Sequence, residues 1–327
     1  MARDIKLDCY HFTFRKQLHN GDYFFRDFLN SFNPDGQTLT LQNQYNSFYT
    51  DLVNYFGSEF RINVNETKGI TISSEDTYLI QSNFNIVSGV LRGGDTGIGK
   101  KIQERRNSLG GNQVDQTKIH AIPHYFQIWM PIDLNFCIVV VQSYTGESLS
   151  GMFLQQLGNY FKAKNIITYN RQKFLPQRMI DDFRNNAIVK SVTFKSSRLE
   201  RQKRQAINPV LVEKDMLNVE LTLKGFGRNS SWAQFREWLT GSNQNLLGID
   251  MSDVNLDNPV DRIVEYNYKG KTTKGKLTKE YQIIPSIVIS DEIQLNEEKH
   301  PDFNSIHAYV CEFMNELIVE SGYDRND

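Results

Sequence analysis

Two apolar stretches, residues 125–130 and 136–141, are separated only by Pro131, Ile132, Asp133, Leu134 and Asn135. A parallel pair of strands needs a long crossover, so a link this short joins an antiparallel pair. The pattern recurs. Residues 61–65 and 69–73 read as strands paired around a polar turn, and residues 262–268 and 278–289 as the two arms of a basic hairpin. Further strands are expected at 5–14, 39–41, 78–91, 166–169, 188–194 and 219–224. Helical spacing marks residues 23–32, 48–56, 149–161, 231–239, a segment opening at Pro176, and a last helix with Ile306, Val310, Phe313, Leu317 and Ile318 on one face. The polar segment 103–116, with Gly110 and Gly111, reads as a loop or fraying helix. Strands in runs, not in strict alternation with helices, predict an α+β fold with largely antiparallel sheets and flanking amphipathic helices. Polar basic residues at 163–174 separate two hydrophobic blocks. They suggest an N-terminal α+β domain over 1–165 and a C-terminal one over 166–327, with the basic hairpin and an acidic terminal helix.

Composition limits the function classes. With 39% hydrophobic and 12% aromatic residues in 327, the chain has material for a real core, which argues against disorder. A formal net charge of −1 gives no global attraction to nucleic acid or anionic lipid, so such binding needs local patches. Cys9, Cys137 and Cys311 are far apart and odd in number, which suggests neither a disulfide framework nor a metal set. The N-terminus lacks an apolar signal core, and no apolar run nears a spanning length. The expectation is a cytoplasmic protein with reduced thiols, no membrane and no cofactor.

The run from Gly93 to Lys101 holds two glycines and a lysine at the spacing of a phosphate-binding loop. Lys101 stands where that loop needs a Ser or Thr hydroxyl for Mg²⁺, and no acidic metal ligand closes the strand at 137–141. The run therefore reads as a glycine-rich turn.

Other catalytic patterns are equally incomplete. His120 and His124 are four apart, but Pro123 argues against the helix that would align them on a metal, so no metal site is expected. His11, His19, His300 and His307 have no evident partners in sequence, and no Gly-x-Ser-x-Gly elbow is present. Asp215, Glu220 and Lys224 bracket one strand, with Glu220 and Lys224 on a shared face, as a metal-dependent nuclease or toxin would use them. The alternative is the solvated face of a half-buried strand.

Two basic clusters carry the stronger chemistry. The first contains Lys190, Lys195, Arg198, Arg201, Lys203 and Arg204; the second contains Lys269, Lys271, Lys274, Lys276 and Lys279, beside Tyr266 and Tyr268. Lysines on a hairpin suit the phosphate backbone of DNA or RNA, and they also protect an edge strand from aggregation.

Residues 88–97, then Ile122, Pro123, His124, Tyr125 and Phe126, Met130 and Pro131, and Val139 to Gln142, resemble a group of uncharacterised bacterial proteins found near phage-defence genes. Pro285 to Ser290 and His300 to Phe303 fit the same pattern. The resemblance covers part of the chain and its motifs are structural. It implies a component of an antiphage or abortive-infection system and carries over no catalytic residue. Three classes stay open: a nucleic-acid-binding component, a nuclease or toxin effector, and a sensor or scaffold that binds a partner protein.

Overall fold

The computed structural model describes residues 4–17, 23–57, 59–96, 100–104, 107–114, 118–196, 219–225, 245–246, 249–250, 261–268, 270–277 and 285–320, with positions 202, 205, 210, 232, 235 and 323. In chain order the elements are β1 (Ile5–Lys16), α1 (Phe25–Asn30), α2 (Leu41–Phe56), β2 (Arg61–Ile62), β3 (Lys68–Thr71), β4 (Tyr78–Gln81) and β5 (Ile86–Asp95). Then come β6 (Lys100–Glu104), β7 (Asn107–Val114), β8 (Ile122–Trp129), β9 (Phe136–Tyr144), α3 (Ser150–Ala163), β10 (Ile166–Lys173) and α4 (Gln177–Asn186). The rest are β11 (Ile188–Ser196), β12 (Val219–Lys224), β13 (Asn245–Leu246), β14 (Ile249–Asp250), β15 (Asp261–Tyr268), β16 (Lys271–Lys276), β17 (Ile287–Val288) and α5 (Phe303–Glu320). The fold is α+β, and its strand pairings are antiparallel.

The chain divides into two units, Met1–Phe174 with Ser286–Asp327, and Leu175–Pro285. The seam expected after residue 165 lies inside the first unit, where β10 pairs with β1.

A sheet in the order β10-β1-β9-β8-β5-β3-β2 organises the first unit, with β17 also on β1 and β4 also on β5. Side chains alternate across a strand, so each strand feeds both faces. Phe12, Phe14, Phe126, Ile128, Val139 and Val141 point to one face and pack with Phe28, Phe48, Phe153 and Phe161 from the helices. The rings meet edge to face, as Phe14 and Phe161 do at 4.9 Å, the arrangement that aromatic quadrupoles favour. The helices α2 and α3 supply this face for a simple reason. In α2, Tyr45, Phe48, Tyr49, Leu52 and Phe56 recur at helical spacing and are all buried. Thr40 caps the start, its side chain accepting from the Asn43 amide, and Gly57 at φ 71° ends it. Leu41, expected in a strand, is the first residue of this helix.

The opposite face is covered by α5, whose Ile306, Val310, Phe313, Met314, Leu317 and Ile318 are buried. Phe303 lies 5.5 Å from the ring of Tyr125, a neighbour of Phe126 that points the other way. Covering both faces explains why Cys137, Ile138, Val139, Val140 and Val141 form one unbroken apolar run.

Three expectations change. Gly93 and Gly94 are not in a turn; they lie within β5, opposite Ile70 and Gly69 of β3. A Cβ on Gly94 would sit 2.0 Å from the His120 carbonyl oxygen, and one on Gly93 2.6 Å from that of Gly69. These glycines permit close backbone approach. The next described element is the strand β6 and not the helix whose N-terminus would receive a phosphate; Gly97 and Gly99 lie outside the described residues. The segment expected as loop or helix at 103–116 contributes most of the β6–β7 hairpin. In the basic hairpin, β15 pairs with residues 271–276 and not with 278–289, across Gly270 at φ 77°.

One polar cluster lies where the chain leaves and re-enters this unit. Asp8 is buried, and its Oδ1 accepts from Lys173 Nζ at 2.8 Å and Ser286 Oγ at 2.7 Å. Its Oδ2 accepts from Ser150 Oγ at 3.1 Å and Ser143 Oγ at 3.3 Å. Burial alone pushes this carboxyl up, but the Lys173 ammonium and the hydroxyls outweigh it and hold it below the usual aspartate range. Among the described residues, no helix is long and apolar enough to cross a membrane.

In the second unit β12, β11, β15 and β16 form a four-stranded sheet in that order. One face packs Val192, Phe194, Val264 and Tyr266 onto Phe183 of α4, Trp232 and Phe235. The other face carries the candidate site.

Candidate nucleic-acid interface

The alternation in β12 sorts its side chains. Leu221 and Leu223 pack on the small core, which sends Glu220, Thr222 and Lys224 outward. On β11, Val192 and Phe194 turn inward and Ser191, Thr193 and Lys195 outward. On β15, Ile263 and Glu265 face the same way, joined by Lys274 of β16. These residues line a shallow depression of about 240 Å³. Lys276, directly opposite Ile263, extends the same face.

Cross-strand pairs order this surface. Lys195 Nζ lies 2.9 Å from Glu220 Oε2, and Lys276 pairs with Asp261. Ser191 Oγ donates to Glu265 Oε2 at 3.1 Å, and the hydroxyls of Thr193 and Thr222 meet at 3.0 Å. Lys274 stands directly opposite Glu265 in the register. The face thus interleaves Lys195, Lys224, Lys274 and Lys276 with Glu220, Asp261 and Glu265. Exposed pairs of this kind contribute only about 0–1 kcal/mol each, so they hold the lysines loosely.

The sequence clusters are therefore redistributed. Lys195 from the first and Lys274 and Lys276 from the second share one sheet face, brought together by the β11–β15 and β15–β16 pairings. Lys271 opens β16 opposite Tyr268. Arg198, Arg201, Lys203, Arg204, Lys269 and Lys279 lie outside the described residues.

The two tyrosines beside the hairpin lie on the opposite, inward face of the sheet from the lysines. Tyr266 is buried, with its ring 4.9 Å from Phe183. Tyr268 packs 5.4 Å from the same ring and hydrogen-bonds Asp182. Both belong to the inward face, because they share the parity of Val264. Of the proposed nuclease set, Glu220 and Lys224 do share a face. Glu220 is held by Lys195, and Asp215 lies outside the described residues.

The histidine pair separates too. His124 is buried in β8, its Nδ1 3.1 Å from the Gln142 carbonyl, and burial lowers its imidazole to about 4. His120 is exposed ahead of the strand. Two other histidines do find partners that the sequence concealed. His300 Nδ1 meets the Tyr144 hydroxyl at 2.8 Å, and His307 on α5 joins Ser88, Tyr125, Gln127 and Cys311. The four-residue step from His307 to Cys311 on an amphipathic helix, and the alternation of Tyr125 with Gln127, were the signals for that second cluster.

No protein-family model, curated protein or solved structure matches the chain.

Proposed function

We propose that the open face of the small sheet binds the phosphate backbone of DNA or RNA. One observation carries this reading: lysines from two distant runs, Lys195 and Lys274 with Lys276, converge on one solvent-facing sheet surface. Lys224 joins them, and Thr193, Thr222 and Ser191 supply hydroxyls between the charges. Phosphate contacts give affinity without sequence selectivity. The absence of aromatic side chains among the residues lining this depression points the same way. The resemblance to phage-defence proteins adds a setting, in which the ligand is foreign or damaged nucleic acid within an antiphage system.

The test is fluorescence anisotropy with short single- and double-stranded DNA and RNA. Four lysine–phosphate contacts predict roughly a 10²-fold loss of affinity between about 50 and 200 mM salt. Reversing Lys274 and Lys276 to Glu flattens that slope. Salt-insensitive binding, or none at the lower salt, overturns the reading. Efficiency of plating of phages on cells with the intact and charge-reversed chain tests the setting.

The interleaved Glu220, Asp261 and Glu265 favour a second reading, a partner protein of mixed charge on the same face. It predicts that charge reversal at the carboxylates weakens binding as much as reversal at the lysines, whereas for nucleic acid it strengthens binding.

A further inference from the structure

On the face of the large sheet that α5 covers, His307 and Cys311 stand one helical turn apart, with His307 Nε2 3.5 Å from the cysteine sulfur. The surrounding protons fix which nitrogen carries hydrogen. Tyr125 donates its hydroxyl proton to Gln127 Oε1 at 2.7 Å, and Ser88 donates its own to the Leu79 carbonyl at 3.2 Å. Both oxygens also lie beside His307 Nδ1, at 2.8 and 3.3 Å. With their protons committed elsewhere they can only accept, so Nδ1 carries the hydrogen and Nε2 presents a lone pair to the thiol. Burial lowers the imidazole's affinity for a second proton, which keeps it in this neutral form.

A second observation points to an incoming group. Gln127 is fully buried, and its Oε1 lies 3.8 Å from the same sulfur. Its Nε2, on the same amide, finds no hydrogen-bond partner among the described residues. A buried N–H left without an acceptor is costly, and this one belongs to the amide whose oxygen faces the sulfur, so it suits an oxygen added there. Cys311 and His307 are partly exposed, whereas Gln127 is not. The other two thiols, Cys9 and Cys137, are buried, and burial pushes both up.

We propose that Cys311 is a peroxide-reactive thiol with His307 as its base. The thiol proton passes to His307 Nε2, and the sulfur lone pair attacks one oxygen of hydrogen peroxide. The O–O bond breaks, and the departing hydroxide takes the proton back from the imidazolium. One thiol and one peroxide give one sulfenic acid and one water, with sulfur oxidised and peroxide reduced. Gln127 Nε2 donates to the oxygen that remains on sulfur.

The experiment treats the full chain with hydrogen peroxide and a sulfenic-acid trap, and reads each cysteine separately by peptide mass spectrometry. The same chain unfolded in urea is the reference. Native Cys311 is expected to be trapped at least about tenfold faster than unfolded Cys311, because a positioned base typically contributes about 10²-fold or more. Cys9 and Cys137 are expected to react more slowly when native. A native Cys311 that reacts no faster than the unfolded one overturns the proposal. In folded His307→Gln the Cys311 rate is expected to fall back to that of the unfolded chain. A purely packing role for His307 predicts the reverse, because a loosened α5 exposes the thiol. A faster or unchanged rate in that variant therefore also overturns it.

Discussion

The two sheets of this protein use the same antiparallel pairing and differ in what covers them. The large sheet has helices on both faces, and its central strands β8 and β9 are buried along nearly their whole length. The small sheet packs one face and leaves the other to solvent, so β12 alternates Leu with Glu, Thr and Lys. Coverage, not strand pairing, decides where chemistry can be displayed. In the large sheet a buried carboxylate is surrounded by donors, as Asp8 is by Lys173 and three serines. In the small one a polar side chain meets solvent and can change partners.

That contrast is open to attack at several strengths. Phe126→Ala removes a fully buried ring 5.0 Å from Phe153 and is expected to cost about 3–5 kcal/mol in urea unfolding. Thr222→Ala on the open face should stay within about 0.5 kcal/mol. Comparable costs at the two positions would break the comparison.

Lys173→Met strands the Asp8 carboxylate and is expected to cost about 3 kcal/mol at neutral pH. The signs with pH differ. In the wild type the folded Asp8 pKa is depressed, so its contribution is present above the unfolded value and is lost as pH falls through the folded value. In the variant, burial without the ammonium raises the folded pKa, so acid relieves the penalty. The gap between the two proteins should therefore narrow when unfolding is repeated near pH 4.

Gly94→Ala places a methyl carbon against the His120 carbonyl and is expected to cost about 1–3 kcal/mol in thermal unfolding. The smallest effect belongs to the open face. Breaking the Lys195–Glu220 pair by a double-mutant cycle should give a coupling below about 1 kcal/mol.

Local pattern made much of this architecture legible. The apolar runs of β8 and β9, the stripes of α2, α3 and α5, and the alternation of β12 each follow from how one element meets one layer. What escaped depends on remote partners. Gly93 and Gly94 look like turn residues until β3 and His120 are placed against them. The β6–β7 hairpin is polar and glycine-bearing, without the alternation that marks a half-buried strand. Tyr266 and Tyr268 sit beside lysines in sequence but on the inward parity in the sheet. The lysines of the second cluster were visible as a run, whereas their meeting with Lys195 required the β11–β15–β16 register. The cluster around Cys311 was hidden because its members come from β5, β8 and α5.

The Asp8 carboxylate has a consequence for the chain's itinerary. Lys173 is the last residue of β10 and Ser286 is the first after the second unit, and both donate to the same oxygen. Along β1, β10 takes residues 10–16 and β17 takes Lys6 and Leu7, so departure and return occupy neighbouring berths on one strand. The second unit is thus a cassette whose departure and return are both tied to β1 and to one carboxylate on it. Its removal leaves two chain ends already side by side, with every pairing of the large sheet intact.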